Sequence, residues 1–403
     1  MTSSAQPLHI LNLARWYPNR TDPMPGLFIQ RHAEAVARYA KVALVYAHGV
    51  EAKDAIPLYE VDYEEKTGVR TARVYYRLPR LHVPLISPLV GLWRFFRANI
   101  KGIKRVKLPG ERFDVLHVHV LTRLGILALF YKWLHGTPFV ITEHWTRYLD
   151  SRKEFRGFLR KLLTRMVVRQ AAVVTTVSDN LTRAMTNHRL QNSNYRVIYN
   201  VVDTAFFEAA KKTALRSETG RKELVHVSCF TDVHKNISGL LRVVKKLSEK
   251  RDDFHLTLVG EGEDLEKMKN YARTLEIPEN TLVFTGLLEG KILAETMAKA
   301  DALVIFSNYE NMPVVINESF ALGVPVFSTD VGGIAEMVND SNGRLVPKGD
   351  ENALLVVLND FLDGKISFQK EQIQAFAEKH FSMEAVGRVL LEIYNEAAKT
   401  PAL

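Results

Sequence analysis

The sequence predicts an α/β fold of two domains, each with a mostly parallel sheet. At 403 residues the chain is longer than one ordinary hydrophobic core serves. Short Val- and Ile-rich runs alternate with amphipathic stretches along it, as in parallel sheets whose strands are buried on both faces. The polar stretch 204–222 interrupts this alternation, and we interpret it as a linker.

The elements follow this order along the chain. In the N-terminal domain, 1–203, the predicted strands are 9–14, 42–46, 114–120, 138–144 and 171–178, and 196–203 ends the domain. In the C-terminal domain, 223–381, they are 224–230, 255–260, 281–286, 302–307 and 325–330. A C-terminal helix at about 382–403 is able to pack back on the first domain. Ligands gather beyond the carboxyl ends of parallel strands, so a cleft between the domains is the expected site.

Composition narrows the class of protein. Hydrophobic residues make up 47% and charged residues 25%, a normal globular balance. The single cysteine, Cys229, excludes an internal disulfide and a metal site built on paired cysteines. There is no secretory signal pattern and no apolar run long enough to span a bilayer. We therefore expect a cytoplasmic protein, with attachment to the inner face of the plasma membrane left open.

The charge is divided unevenly. Residues 1–200 carry a net charge of +17 and the remainder −8, which indicates an anionic partner for the N-terminal half. Between Lys66 and Gly110 there are eleven basic residues and no acidic one. Basic stretches that interleave aromatics suit an anionic membrane surface, and the residues expected to face it are Trp93, Arg94, Arg97, Lys101 and Lys104. An ordinary domain surface is the alternative; no nucleic-acid-binding module is recognisable.

The stretch 309–318, YENMPVVINE, carries a glutamate at each end. Pro313 and Gly323 predict a short helix from about 313 to 322, with Glu310 before it and Glu318 inside it. A helix N-terminus favours phosphate, whereas carboxylates accept hydrogen bonds from sugar hydroxyls. The pair therefore predicts a sugar joined to a diphosphate, the alternative being two solvated helix-end charges.

Four segments carry a family resemblance. SNYENMPVVINESFALGVPVFSTDVGG resembles the E-x7-E signature of the retaining glycosyltransferases of the large family 4, which have the GT-B fold. GEGEDLEKMKNYARTLEIPENTLVFTG is similar to the family's nucleotide-side segment, NVVD to its Asn-Gly-Val-Asp, and RWYPNRTDPMPGLFIQRHAEAVA to its N-terminal phosphate loop. The resemblance implies two Rossmann-like domains that face each other across a cleft.

The resemblance also implies residue roles. Glu318 would bind the ribose, Glu310 the hydroxyls of the transferred sugar, and Lys235 the diphosphate. His119 would sit at the reacting carbon, so that the catalytic residues are His119 and Glu310. The remaining donor-binding residues would be Gly26, Asn311, Met312 and Pro313. This chain departs from the family where many members have an arginine, because Phe230 stands at that position.

Other residues carry weaker signals. His117 and His119 are expected to face opposite sides of their strand, with His119 nearer its carboxyl end. His144, Gly260, Gly332 and Gly333 follow strand ends, and a capping or turn role accounts equally well for His144 and Gly260. GT-B enzymes generally stabilise the leaving diphosphate with helix dipoles and cations, so no metal site and no cofactor is expected beyond the nucleotide diphosphate sugar as co-substrate.

The expected function is transfer of a sugar from a nucleotide diphosphate donor to a hydroxyl acceptor with retention. The acceptor is expected to be a lipid-linked or other glycan, in bacterial cell-surface polysaccharide or glycolipid assembly. The alternatives are a GT-B nucleotide-sugar isomerase and an inactive GT-B chain that acts as a binding partner.

Overall fold

A computed structural model describes residues 7–51, 56–79, 84, 86–121, 123–149, 154–212 and 220–400. The internal contacts of the chain divide it into two units, Met1–Val201 with Met383–Leu403 and Val202–Ser382. We call these the N-terminal and C-terminal units. Each is built on a mainly parallel sheet with helices, which confirms the predicted α/β fold class.

The N-terminal unit contains an eight-stranded sheet in the order β3-β4-β2-β1-β5-β6-β7-β8. Its strands are β1 (His9–Ala14), β2 (Lys41–Val50), β3 (Tyr59–Lys66), β4 (Val69–Arg77), β5 (Val115–His119), β6 (Phe139–Glu143), β7 (Val173–Thr176) and β8 (Tyr195–Val197). All neighbours are parallel except β3 and β4, an antiparallel hairpin that the sequence analysis did not predict. Central strands such as β5 are buried along their whole length, because helices cover the sheet.

The helices of this unit are α1 (Leu27–Val36), α2 (Ile86–Val106), α3 (Arg123–His135), α4 (Phe158–Gln170), α5 (Asp179–Asn187) and, at the end of the chain, α14 (Met383–Ala398). The last helix contacts α1, β5 and β6. At this contact a Cβ on Gly387 would lie 2.5 Å from the carbonyl oxygen of Ala35, so the absence of a side chain permits the close approach of α14 to α1.

The C-terminal unit contains a six-stranded parallel sheet in the order β11-β10-β9-β12-β13-β14. The strands are β9 (Lys222–Val227), β10 (Phe254–Val259), β11 (Leu282–Gly286), β12 (Ala302–Ile305), β13 (Val326–Thr329) and β14 (Gly343–Val346). The helices are α6 (Thr204–Lys212), α7 (Asp232–Lys235), α8 (Ile237–Ser248), α9 (Leu265–Thr274), α10 (Gly290–Met297), α11 (Val314–Leu322), α12 (Glu351–Leu362) and α13 (Lys370–Phe381).

The expected linker is in part a helix. Residues 204–212 form α6, which contacts α10 and α11 of the C-terminal unit. Phe206 and Ala209 are buried on its inner face. Their helical spacing is a helix signal within an otherwise polar stretch, and the linker prediction did not include it. Residues 213–219 of the expected linker lie outside the described residues.

Candidate active site

The loop between β12 and α11 holds Glu310 in place. Its Oε1 accepts hydrogen bonds from Lys235 Nζ at 2.6 Å and from Ser307 Oγ at 2.7 Å. The carboxylate is almost buried, and Lys235 is about one-fifth exposed at its side chain. The backbone N–H of Asn308 donates to the carbonyl of His234 at 2.8 Å, so the loop and α7 are fixed to each other beside the ion pair.

Helix α11 begins and ends where the sequence predicts. Pro313 is its N-cap, and Gly323 closes it with φ 73°, a left-handed conformation that suits glycine. The backbone N–H groups of its first turn follow Asn311 and Met312, which are both nearly buried. Glu318 lies in the middle of this helix with only 8% of its surface exposed. The alternative interpretation of Glu318 as a solvated charge at a helix end is therefore wrong.

The turn after β13 supports the same loop. A Cβ on Gly332 would lie 2.1 Å from the carbonyl oxygen of Glu310. The backbone N–H of Gly333 donates to the carbonyl of Asn311 at 2.7 Å. Both glycines therefore contact the backbone that carries Glu310 and Asn311, and Gly332 must remain without a side chain to do so.

Phe230 belongs to the hydrophobic core of the C-terminal unit. Its side chain is fully buried, with its ring centroid 6.1 Å from that of Phe284. Its backbone faces the turn after β10, where Cβ atoms on Gly260 and Gly262 would clash with the backbone of Ser228 and Phe230. Close packing therefore accounts for Gly260, and Lys235 has no arginine neighbour at this position.

His117 and His119 lie on the same face of β5. Their ring centroids are 3.8 Å apart, and the expectation that they face opposite sides is wrong, because residues two apart on a strand share a face. His117 bonds to Tyr394 Oη at 2.6 Å and to Thr142 Oγ1 at 2.5 Å. His119 Nε2 lies 2.9 Å from Asn12 Oδ1. Both rings are fully buried.

His119 is part of a cluster of three imidazoles. One ring nitrogen from each of His32, His119 and His144 lies within 4.8 Å of the other two. His32 follows Gly26 on α1, His119 ends β5, and His144 comes directly after β6. Burial lowers the pKa of His32 to about 4, and burial together with the neighbouring histidines lowers the pKa of His119 and His144 well below the usual value. The cluster is neutral near pH 7.

Glu143 closes the turn after β6. Its carboxylate accepts hydrogen bonds from the backbone N–H groups of Leu121, His144 and Trp145 at 2.7–2.9 Å. Burial raises the pKa of Glu143 to about 7, and these backbone hydrogen bonds oppose the rise. This bonding supports the capping interpretation of the Glu143-His144 pair.

Gly26 caps α1 in a left-handed conformation with φ 77°. A Cβ there would lie 2.3 Å from the carbonyl oxygen of Trp16. The contact with Trp16 requires glycine whatever the loop binds.

The surface of α2 and α3 mixes apolar and basic side chains. Trp93 is 53% exposed and lies under the guanidinium of Arg97, 5.2 Å from the ring centroid. Lys101 and Lys104 are also exposed, whereas Arg94 is half-buried and donates to the carbonyl of Arg77 at 2.7 Å. A groove of about 500 Å³ runs beside Lys104, lined by Phe96, Ile100, Ile103, Leu127, Phe130 and Leu134 among others. None of the helices in the described part of the chain has the length and apolar character needed to cross a membrane.

Two family models match this chain. Glycosyltransferase Family 4 matches residues 15–206, and Glycosyl transferases group 1 matches residues 208–380. They correspond to the N-terminal sheet and to the C-terminal sheet with its two glutamates. The chain belongs to the GT-B glycosyltransferases.

Two curated relatives match part of this chain. N-acetyl-alpha-D-glucosaminyl L-malate synthase of Bacillus anthracis is 30% identical over 60% of this chain and 63% of its own length. Lipopolysaccharide 1,6-galactosyltransferase of Escherichia coli strain K12 is 27% identical over 53% of this chain and 58% of its own length. The match thus spans less than two-thirds of either relative.

Solved structures share the fold over nearly the whole chain. Sucrose-phosphate synthase from Thermosynechococcus elongatus has a TM-score of 0.72 at 17% identity and covers 96% of this chain and 98% of its own. Anabaena HepE in complex with UDP-glucose has a TM-score of 0.66 at 18% identity and covers 96% of this chain and 99% of its own. At such identities the likeness establishes the GT-B fold.

The sequence analysis missed several residues that this GT-B chain brings to its strand ends. Ser307 holds Glu310, and Asn12 holds His119. His32 joins His119 and His144, although the three are far apart in the sequence. The only available signal was the position of Ser307 at the carboxyl end of a predicted strand.

Proposed function

We propose that this chain transfers a sugar from a nucleotide diphosphate donor to a hydroxyl acceptor with retention, in bacterial cell-surface polysaccharide or glycolipid assembly. The single observation that carries the proposal is the Lys235–Glu310–Ser307 arrangement beside the N-terminus of α11. It combines a cation and the backbone N–H groups of a helix N-terminus, which suit a diphosphate, with a carboxylate, which suits sugar hydroxyls.

On the donor side, Lys235 has a double role. Without ligand it is paired with Glu310, and with donor it shares its charge with the diphosphate. Glu310 then turns part of its hydrogen-bonding capacity to the hydroxyls of the sugar, while Ser307 keeps the carboxylate in place. Glu318 accepts hydrogen bonds from the ribose, and Asn311, Met312 and Pro313 line the sugar and diphosphate. Lys235 and the first turn of α11 stabilise the departing diphosphate without a metal ion.

On the acceptor side, His119 is the residue proposed to act at the reacting carbon. Its neutral, buried ring is supported by Asn12. We assign no carboxylate of the N-terminal unit as a covalent nucleophile, because the buried Glu143 accepts three backbone hydrogen bonds. The acceptor hydroxyl therefore attacks from the face that the diphosphate leaves, which retains the configuration.

The acceptor is proposed to be lipid-linked and reached at an anionic membrane surface on the cytoplasmic side. The support is the exposed surface of α2 and α3, where Trp93, Arg97, Lys101 and Lys104 surround apolar side chains. Phe130, Trp133 and Leu134 on α3 are each more than half exposed. Aromatic and basic side chains in this mixture suit a bilayer interface.

The test begins with nucleotide sugars screened by thermal shift, because a bound donor stabilises the fold by mass action. The donor found is then combined with glycan and lipid-linked acceptors, and release of nucleoside diphosphate is measured. His119→Ala is expected to lower turnover far more than donor affinity, whereas His135→Ala, an exposed histidine on α3, should change neither.

Release of diphosphate only with acceptor, in the anomeric configuration of the donor, is the expected result. Inverted product would contradict retention. A rearranged nucleotide sugar formed without acceptor would identify an isomerase. A folded chain that binds no nucleotide would be an inactive binding partner.

The membrane part of the proposal has its own test. Each basic residue near an anionic surface contributes about 1 kcal/mol, so the triple change Arg97, Lys101 and Lys104 to Gln should weaken binding to anionic vesicles roughly a hundredfold. Changing Lys245, Lys246 and Lys250 of the C-terminal unit to Gln is the matched control. Vesicle binding that does not depend on anionic lipid, or that is equally strong in both variants, would contradict binding through the surface of α2 and α3.

A further inference from the structure

The carboxyl ends of β5 and β6 and the middle of α1 bring three imidazoles together that sequence reasoning did not connect. His32 and His119 are buried and His144 is half-buried. One ring nitrogen of each lies within 4.8 Å of the other two. We propose that these three histidines form a binding site for one divalent transition-metal ion, with Zn²⁺ as the best-suited ion.

The hydrogen bonds of the cluster already select the nitrogens that an ion needs. His32 Nε2 lies 3.1 Å from the carbonyl of Tyr199, which can only accept, so this nitrogen carries the proton. His119 Nε2 donates in the same way to Asn12 Oδ1 at 2.9 Å. In a neutral ring the other nitrogen, Nδ1, then holds a lone pair. Metal-bound histidines are typically oriented by such bonds.

Those lone pairs lack a partner. Nδ1 of His32 and Nδ1 of His119 are buried and have no hydrogen-bond partner among the described residues. A buried polar atom left unsatisfied costs about 1–3 kcal/mol. A shared ion would satisfy both atoms at once, whereas two lone pairs cannot satisfy each other.

The spacing is close to that of an occupied site. Zn–N distances of about 2.0–2.1 Å in a tetrahedral site place the nitrogens about 3.4 Å apart. A pair at the 4.8 Å limit must therefore approach by about 1.4 Å when the ion binds. Three imidazoles favour Zn²⁺, Cu²⁺ and Ni²⁺ over Mg²⁺ and Ca²⁺, which prefer oxygen. The fourth position stays open to water or a ligand oxygen.

An aromatic cover surrounds the outer histidine. The ring centroids of His144 and Phe28 are 4.3 Å apart, and Trp16 lies edge-on to Phe28 at 6.3 Å. Trp16 also contacts Trp145 at 5.2 Å. Such a cover limits water around a bound ion and lets His144, the least buried of the three, serve as the point of entry.

The ion proposed here is separate from the stabilisation of the diphosphate, which we assign to Lys235. It also requires no transfer assay. A bound ion would occupy Nδ1 of His119, whose Nε2 already donates to Asn12, so Zn²⁺ is expected to inhibit the proposed transfer. Failure of metal binding would leave the proposed glycosyltransferase function untouched, and failure of the transfer assay in metal-free protein would leave the metal site untouched.

The experiment uses the full chain after treatment with chelator and dialysis. Zn²⁺ is titrated by calorimetry, and Co²⁺ is added as a coloured probe whose visible absorption reports tetrahedral coordination. The expected result is one ion per chain, and X-ray absorption of the Zn²⁺-loaded unmodified chain should show three imidazole ligands. This measurement needs no variant and holds even if a substitution prevents folding.

His144→Gln removes one ligand and is expected to weaken Zn²⁺ binding at least tenfold. The matched control is His188→Gln, a half-buried histidine of the same unit whose Nε2 bonds to the carbonyl of Tyr148 at 2.9 Å. It should bind Zn²⁺ as the unmodified chain does. Absence of Zn²⁺ binding, binding unchanged in His144→Gln, or fewer than two imidazole ligands by X-ray absorption would each overturn the proposal.

Discussion

The carboxyl ends of the two parallel sheets carry opposite kinds of chemistry. Beyond β9 and β12 in the C-terminal unit, Lys235 and Glu310 form an ion pair at 2.6 Å. Beyond β5 and β6 in the N-terminal unit, His32, His119 and His144 are kept uncharged by burial. Both groups of side chains lie at the edge where parallel α/β sheets generally bind ligands. The loops, rather than the fold, therefore decide what chemistry each edge offers.

The difference fits a division of labour. A nucleotide diphosphate brings negative charge, so the edge that holds it gains from a cation and from free backbone N–H groups. A sugar hydroxyl is neutral, and a neutral imidazole is a suitable partner for its proton. The net charge of each half does not follow the charge at its sheet edge. Residues 1–200 carry +17, yet the three histidines at the edge of that half are uncharged.

The largest effect is expected when the positive charge of Lys235 is removed from the sheet edge of the C-terminal unit. Lys235→Ala should lower transfer turnover by about 10²–10³-fold, because one preorganised donor to the leaving group is lost. Steady-state kinetics with the donor identified by thermal shift measures the effect.

The matched control is Lys222→Ala, since Lys222 is also ion-paired, with Asp301 at 3.4 Å, but lies at the start of β9. Its kinetics should equal those of the unmodified chain. If Lys235→Ala retains full turnover, charge at the C-terminal edge is structural.

A smaller effect is expected from Glu318→Gln. If the carboxylate holds the ribose, loss of a charge-assisted hydrogen bond costs roughly 1.5–3 kcal/mol, hence about tenfold or more in donor affinity. Calorimetric titration of the donor measures it. Glu351→Gln, which removes a carboxylate that pairs with Arg242 and Lys246, should bind donor normally. Unchanged affinity in folded Glu318→Gln would remove this residue from the site.

The smallest effect is expected for the buried hydrogen bond between Tyr394 and His117. Tyr394→Phe deletes the hydroxyl that lies 2.6 Å from Nδ1 of His117, and should lower the free energy of unfolding by about 1–3 kcal/mol, because a buried polar atom loses its partner. Tryptophan fluorescence reports the N-terminal unit alone, since Trp16, Trp93, Trp133 and Trp145 all lie there.

Tyr63→Phe is the control for this change, because its hydroxyl makes only a 3.4 Å contact with Glu65 at the surface. It should stay within about 0.5 kcal/mol of the unmodified chain. Equal unfolding curves for Tyr394→Phe and Tyr63→Phe would show that the hydrogen bond from the Tyr394 hydroxyl to His117 does not stabilise the N-terminal unit.

By itself the sequence determined the fold class, most of the strands and the helix that carries Glu318. Strands are recognisable because burial on both faces demands continuous apolar runs. Helix α11 is recognisable because Pro313 and Gly323 act through local backbone geometry. The E-x7-E segment, too, is contiguous, so its two carboxylates could be identified without knowledge of distant residues.

The tertiary structure alone decided which distant residues meet. Phe230 looked like a vacant arginine position but is a core side chain. His117 and His119 lie on the same face of β5 but bond to different partners. His117 bonds to Tyr394 and His119 to Asn12. The three-histidine cluster joins positions 32, 119 and 144, which no local pattern connects. Sequence spacing determines periodicity within one element, whereas the side chains that share a buried space are determined by how the elements pack.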